Sequence, residues 1–291
     1  MKALYELSAP AKLNLFLHIT GRRDDGYHLL QSVFMLIDWC DTLHVELRSD
    51  GRLSREDLGP ALPPEDLVLR AARALQAFAQ PGQGAHIGVM KRIPSEAGLG
   101  GGSSDAATCL LALNRLWGLG LSLPRLERVG LTLGADVPFF LRGHNAWVEG
   151  VGEQITPVTL PPARFAVLKP PSGLATAKIF AAEDLKRENP AAILAGFAAH
   201  DALQNDRVSE EVYRFGRNDL QPVAQRLNPE VTEAIEWFGH QGLDARMTGS
   251  GSSVFAQMNL PHGTLLQDPP LGWQLRICSN LAVHPLAGWV G

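Results

Sequence analysis

The sequence predicts an α+β protein of two domains. Three observations lead to that class. The 291 residues exceed what one hydrophobic core commonly organises, so the chain is expected to divide. The segment from Lys12 to Ile19 alternates with the two-residue period of a strand. Between Ala85 and Trp117, a strand, a glycine-rich loop and an apolar helix follow one another.

In the first strand Leu13, Leu15, Leu17 and Ile19 form a core face, while Lys12, Asn14, Phe16 and His18 lie on the other side. The turn GRRDDGYH then brings Tyr27 and His28 close in sequence. Ser32 to Asp38 and Thr42 to Leu47 read as two further strands around a turn at Asp38 to Asp41, giving a mainly antiparallel sheet. Asp66 is a good N-cap for a helix in which Leu67, Ala71, Ala74, Leu75 and Phe78 recur at helical spacing. AHIGVMKRI alternates as a strand and runs through Pro94 into SEAGLGGGSSDAATCLLALNRLWGL. The glycines are expected to stay outside the helix, which starts with the serines and buries Ala106, Ala107, Leu110, Leu111 and Leu113. Pro124 to Leu133 reads as a helix, GADVPFF as a turn, and Ala146 to Val151 and Arg164 to Leu168 as strands.

The PPAR stretch at Pro161 to Arg164 is the expected boundary, dividing the chain into domains at 1–160 and 161–291. The second domain is expected to mix helices at Thr176 to Lys186, Ala191 to Leu203 and Pro229 to Phe238 with strands at Ala245 to Met247, Val254 to Met258 and Gln274 to Cys278. The tail LAVHPLAGWVG is a candidate for return to the first domain.

Composition narrows the function. With 45% hydrophobic and 19% charged residues the chain can bury a core, so a folded chain is expected rather than a disordered one. A net charge of -4 gives no global attraction to nucleic acid or anionic lipid. Cys40, Cys109 and Cys278 lie far apart and outside any zinc-binding spacing, as expected of buried thiols in a reducing compartment. Lys12, Asn14 and His18 interrupt the apolar start, and no run reaches the roughly 20 apolar residues of a membrane span. These features point to a cytoplasmic protein acting on a small molecule, with neither nucleic acid nor membrane as partner, as a monomer or weak homodimer.

Four segments carry chemistry. In AGLGGGSSD, from Ala97 to Asp105, residues without Cβ let backbone N–H groups converge on an anion at a helix N-terminus, which makes a phosphate cradle. No lysine follows the last glycine, so the Walker A pattern does not fit. Asp136 in LGADVPFF is placed as a general base, although aspartates there more often cap a helix or close a turn. Lys12 sits on a strand suited to burial, where a lysine usually snorkels. RMTGSGSSVFA, from Arg246 to Ala256, is a second glycine and serine loop, a pattern that also fits a plain hairpin. Each is ambiguous alone; together, in this order, they are not.

SAPAKLNLFL, PSEAGLGGGSSDAA and MTGSGSSVFA resemble the three motifs of the GHMP kinase superfamily, and LGADVPFF resembles its aspartate loop. The resemblance spans nearly the whole chain. GRRDDGYHLLQS, LGADVPFFLRG and EGVGE resemble the branch whose alcohol substrate carries a cytidine diphosphate, in non-mevalonate isoprenoid precursor synthesis. The resemblance implies an N-terminal domain like ribosomal protein S5 domain 2, a ferredoxin-like C-terminal domain, and a cleft between them. It implies ATP and Mg2+ as cofactors, Asp136 as catalytic base and Lys12 as its partner. ATP would be bound by Pro94, Ser95, Glu96, Ala97, Gly98, Leu99, Gly100, Gly101, Gly102, Ser103 and Ser104, with Ser103 or Ser104 offering a hydroxyl to the metal. Asn14, Tyr27, His28, Thr176 and Phe180 match positions that hold the cytidyl diphosphate substrate, with Tyr27 and Phe180 stacking on cytosine. Two alternatives stay open: a superfamily kinase for homoserine, mevalonate or a sugar, and a nucleotide-binding sensor without catalysis.

Overall fold

The computed structural model describes residues 1–187, 191–192, 212–259 and 265–290. Two long strands open the chain, β1 (Ala3–Arg22) and β2 (His28–Arg48), followed by β3 (Leu53–Asp57), helix α1 (Leu67–Gln76) and β4 (Gly84–Met90). Helices α2 (Gly101–Leu116), α3 (Leu123–Leu131) and α4 (Val137–Arg142) lead to β5 (Ala146–Gly150) and β6 (Gln154–Pro157). Past residues 158–163 come β7 (Arg164–Lys169), α5 (Thr176–Phe180), α6 (Gln221–Leu227), α7 (Glu230–Gly239), β8 (Ala245–Met247), β9 (Val254–Gln257) and β10 (Gln274–Ser279). None of the described helices is long and apolar enough to cross a membrane.

The first sheet has the order β3-β4-β2-β5-β6, with β1 paired along β2. The long β2 shares one edge between two partners, β5 against Leu30 to Phe34 and β4 against Thr42 to Arg48. The second sheet is antiparallel, ordered β10-β7-β9-β8. One core lies under the helices and includes Leu43, Val45, Leu110, Phe139 and Phe140. A second lies between the sheets, where Leu13, Leu15, Phe16, Met35 and Trp147 meet Phe165, Val167 and Phe255. The third, with Leu168, Phe238 and Met247, fills the second sheet's helix-covered side and takes in Leu17 and Ile19 from β1.

Several elements differ from the sequence reading for identifiable reasons. The two strands expected around a turn at Asp38 to Asp41 are one strand: Pro10 pairs with Cys40 and Ala11 with Ile37, so Asp38 and Trp39 form a bulge. β1 is covered on both sides, which buries Phe16 completely and Lys12 and Asn14 almost so. Gly101 and Gly102 are the first residues of α2, where the helix starts from a left-handed Gly100. GADVPFF is the beginning of α4, because proline is tolerated in a helix's first turn and Val137, Phe139, Phe140 and Leu141 are all buried. Helix α6 starts in the same way at Pro222. The short strands β3 and β6 sit at the sheet's two ends and escaped the periodicity.

The helix from Thr176 is shorter than expected, ending at Phe180. Beyond Ala191 and Ala192, the expected helix through Leu203 lies outside the described residues. Asp66 does cap α1, accepting from Leu69 N–H at 3.0 Å while pairing with Arg55 at 2.7 Å. The tail returns to the first sheet through bridges from Asn280 to Ile37 and Val283 to His144, and Leu286 joins the helix-side core.

Cys109 and Cys278 are buried, whereas Cys40 is only half-buried because it borders the bulge. Burial pushes all three thiols up, to about 11 for Cys40 and about 12 for Cys278.

Phe165 of β7 belongs to the core shared by the two sheets, with its ring 5.1 Å from that of Tyr213 and no solvent exposure. Phe165→Ala is expected to cost about 3–5 kcal/mol, read as a fall in the urea midpoint. A shift under about 1 kcal/mol would show that the two layers do not depend on this contact.

Candidate active site

A cleft of about 1380 Å³ opens between the two layers. Its floor comes from β1. Lys12 is buried, and its ammonium lies 3.7 Å from an Asp136 carboxylate oxygen and 4.7 Å from the centre of the Phe34 ring. It also donates to the side-chain oxygen of Asn14, whose amide nitrogen in turn donates to Ser32 at 2.8 Å. Burial lowers the Lys12 pKa and the Asp136 carboxylate opposes that fall. Asp136 occupies the N-cap position of α4, but its side chain makes no capping bond. The carboxylate is therefore left to face Lys12 and the cleft.

The glycine loop forms the wall beside this pair. Gly98 and Gly100 both have φ of 71°, a conformation that glycine adopts without a steric penalty. A Cβ on Gly98 would stand 2.3 Å from the Thr248 carbonyl oxygen, and one on Gly100 would stand 3.1 Å from Phe140 and 3.2 Å from Cγ of Lys12. The second loop is pinned against the first: Ser253 N–H donates to Ala97 O at 3.2 Å and Ser252 N–H to Glu96 O at 3.4 Å. Lys12 N–H donates to Leu99 O at 3.0 Å, and Asn14 N–H to the Thr248 hydroxyl at 2.8 Å, so strand and both loops form one unit.

Every residue from Pro94 to Ser103 lines the cleft. Ser104 does not. It is fully buried in the protein interior, its hydroxyl without a partner and its N–H already bonded to Gly100 O at 2.9 Å. Of the two serines, Ser103 presents itself to the cleft.

Beneath the loop lies a cluster that sequence reading missed. Lys91 at the end of β4 donates to Asp105 at 2.6 Å and to Asp41, whose other oxygen accepts from Ile93 N–H at 2.8 Å. Two carboxylates around one ammonium would leave a net negative charge in a buried site, and burial holds the Asp105 carboxyl well above the usual range, favouring its protonated form. Its second oxygen has no partner. The only signal in sequence was an apolar strand ending in lysine and a helix start containing aspartate, neither of which announces a pair.

At the other end of the cleft stand Tyr27, His28, Thr176 and Phe180. Tyr27 is 64% exposed, which leaves its ring available to a ligand. The His28 and Phe180 rings are 5.1 Å apart and inclined by 33°. Thr176 shares a 2.7 Å hydroxyl bond with Ser250 of the second loop. Arg187, also unnoticed in sequence, donates to His28 at 3.1 Å.

Comparison with known proteins follows this geometry. The family models described as GHMP kinases N terminal domain and GHMP kinases C terminal match residues 66–144 and 198–260. A protein of Variovorax paradoxus (strain S110) named 4-diphosphocytidyl-2-C-methyl-D-erythritol kinase is 70% identical over 294 residues, covering 99% of each chain. The chain belongs to the GHMP kinase family. The protein of the same name from Paracidovorax citrulli (strain AAC00-1) is 62% identical, covering 99% of this chain and 98% of its own. A crystal structure of 4-(cytidine 5'-diphospho)-2C-methyl-D-erythritol kinase superposes with a TM-score of 0.73 at 38% identity, over 88% of this chain and 91% of that one. Homoserine kinase from Cytophaga hutchinsonii shares the fold at a TM-score of 0.66 and 15% identity, over 98% and 96%. As a GHMP kinase the chain is an ATP-dependent enzyme.

Two tests address this GHMP site. Gly98→Ala is expected to abolish most ATP-dependent turnover, since the new Cβ collides with backbone rather than a movable side chain; wild-type kcat/KM for ATP would refute the tight seating. Asp105 binds a proton in the folded state at pH values where an unfolded aspartate, near pKa ~3.9, has lost it. Its contribution therefore makes stability fall as pH rises from about 4 toward its folded pKa of about 8. Asp105→Asn should flatten that slope, gaining stability relative to wild type at pH 8.5 but not at pH 4; parallel urea midpoints across the range would rule it out.

Proposed function

We propose that the chain transfers the γ-phosphoryl group of ATP to the C2 hydroxyl of 4-diphosphocytidyl-2-C-methyl-D-erythritol, giving the 2-phosphate and ADP in the non-mevalonate route to isoprenoid precursors. The observation that carries the reading is the Lys12–Asp136 pair at 3.7 Å in the same cleft as the glycine loop and the aromatic end. The full-length similarity to kinases named for that substrate supports it.

Phosphoryl transfer asks little covalent chemistry of a protein, so positioning and charge dominate. Asp136 accepts the hydroxyl proton as the substrate oxygen bonds to the γ-phosphorus; the bond from that phosphorus to the β–γ bridging oxygen breaks and ADP departs with the electron pair. Lys12 lies 3.7 Å from the Asp136 carboxylate and offsets negative charge developing on the transferred group. Because Lys12 is desolvated, its charge acts in a medium that screens it weakly. Backbone N–H groups at the start of α2 receive the phosphates at the positive end of the helix.

Among the described residues no group of three or more His, Cys, Asp or Glu side chains forms a metal cage. Mg2+ takes few protein oxygens and completes its shell with phosphates and water. The Ser103 hydroxyl would hold it, and the ion would neutralise charge on the phosphate oxygens. Tyr27 and Phe180 would stack on the cytosine, with His28, Asn14 and Thr176 beside the rest of the substrate.

Asp136→Asn is expected to lower kcat by about 100-fold or more while ATP still binds; ADP release in a coupled assay with the cytidyl diphosphate substrate measures it, and near-normal kcat would remove Asp136 as the base. Lys12 loses its proton at lower pH than an ordinary lysine, so the alkaline limb of kcat should fall below pH ~10.4 and disappear in Lys12→Arg to the extent that this variant is active. A limb unchanged by that substitution would assign it to another group.

A further inference from the structure

The cytidine end of the cleft is walled by residues from both layers, and one side chain joins them. After α5 the chain passes through Ala181 to Arg187, which folds its guanidinium back on that segment. Its Nη2 donates to Ala182 O at 2.6 Å and its Nη1 to Leu185 O at 3.2 Å and Glu183 O at 3.5 Å. Nε donates outward, to Nε2 of His28 at 3.1 Å. A second tie follows along the same strand. Gln31 of β2 donates to Ala192 O at 3.2 Å and accepts from Ala192 N–H at 2.7 Å. Arg187 and Ala192 are thus tied to β2 at His28 and Gln31.

The bond from Arg187 fixes the chemistry of His28 as well as its place. An Nε2 that accepts carries no proton, so the neutral ring holds its hydrogen on Nδ1. Burial, Arg187 and Arg22 all lower the His28 pKa and keep it in that form. The ring then rests on Phe180, 5.1 Å away, with Tyr27 as its exposed neighbour in sequence. A planar fork can serve three carbonyls and an imidazole at once, which a lysine ammonium on its flexible stem cannot do from one fixed position.

We infer that Arg187 is a positioning residue for the substrate's nucleotide handle: it presets the spacing between the Tyr27–His28 turn and Phe180, so the wall that receives the pyrimidine is assembled before the substrate arrives. This rests on the cytidyl diphosphate reading of the site. A preset wall removes an ordering cost from binding. Arg187 therefore governs affinity for the handle and leaves the transfer at Lys12 and Asp136 untouched.

The test compares wild type with Arg187→Met and Arg187→Lys in the full chain, using steady-state kinetics, CDP as a competitive probe, and thermal melting. In Arg187→Met the KM for the cytidyl substrate and the Ki of CDP should both rise about tenfold or more, while kcat, the KM for ATP and Tm hold within about twofold or a few degrees. Arg187→Lys, which keeps charge and stem, should show the same split with a smaller rise, and it supplies the answer should the Met variant fold poorly. Unchanged KM and Ki, or a loss confined to kcat, in a wild type that turns over the cytidyl substrate would overturn this inference alone. A wild type that turns over no cytidyl substrate would overturn the reading of the site, and the inference with it.

Discussion

The seating of the glycine loop on the second loop is the constraint on which the rest of the structure depends. Gly98 approaches the Thr248 carbonyl so closely that no side chain fits between them. Two further backbone bonds, from Ser252 and Ser253, hold the loops in register. Since β1 bonds to both loops, through Lys12 to Leu99 and through Asn14 to Thr248, the lysine cannot move independently of the glycine loop. A strand from one layer, a loop from the same layer and a loop from the other thus meet at one place. Main-chain atoms, rather than long side chains, set the distances there.

Two buried lysines flank this junction and are treated differently. Lys12 faces one carboxylate across 3.7 Å and open cleft beyond it, so its charge is only partly offset and remains directed at whatever occupies the cleft. Lys91 is enclosed by Asp41 and Asp105, and its pKa is raised because the two partners outweigh burial. The first arrangement leaves a charge facing the cleft. The second neutralises a charge locally and braces the turn between β4 and α2. Sequence composition does not distinguish the two, because both are lysines on or at the end of an alternating strand.

What could be read in the sequence was what has a local signature. The alternation of β1, the cap at Asp66, the glycines before α2 and the order of the motifs all rest on neighbours within a few residues. What escaped depended on distant partners. Phe16 reads as lying on the side away from the core because nothing local says that a second sheet covers β1; α4 looked like a turn because glycine and proline speak for one until four buried side chains show otherwise. Within the cradle, Ser103 and Ser104 are adjacent and chemically identical, and only helical rotation turns one to the cleft and the other to the interior. Arg187 had no motif of its own, and Asp105 stood in one that does not show its partner, since each acts through a residue on another element.

The three cysteines have a practical consequence for anyone who wishes to watch this enzyme move. With thiol pKa values raised by burial, the native side chains hold only a minute thiolate fraction at neutral pH, and the thiolate is the species that alkylating dyes attack. A new cysteine placed on an exposed position at the cleft rim would react far faster than any of them. Fluorophores or spin labels can therefore be attached at chosen points on the wild-type background, without first stripping the core of its own sulfur.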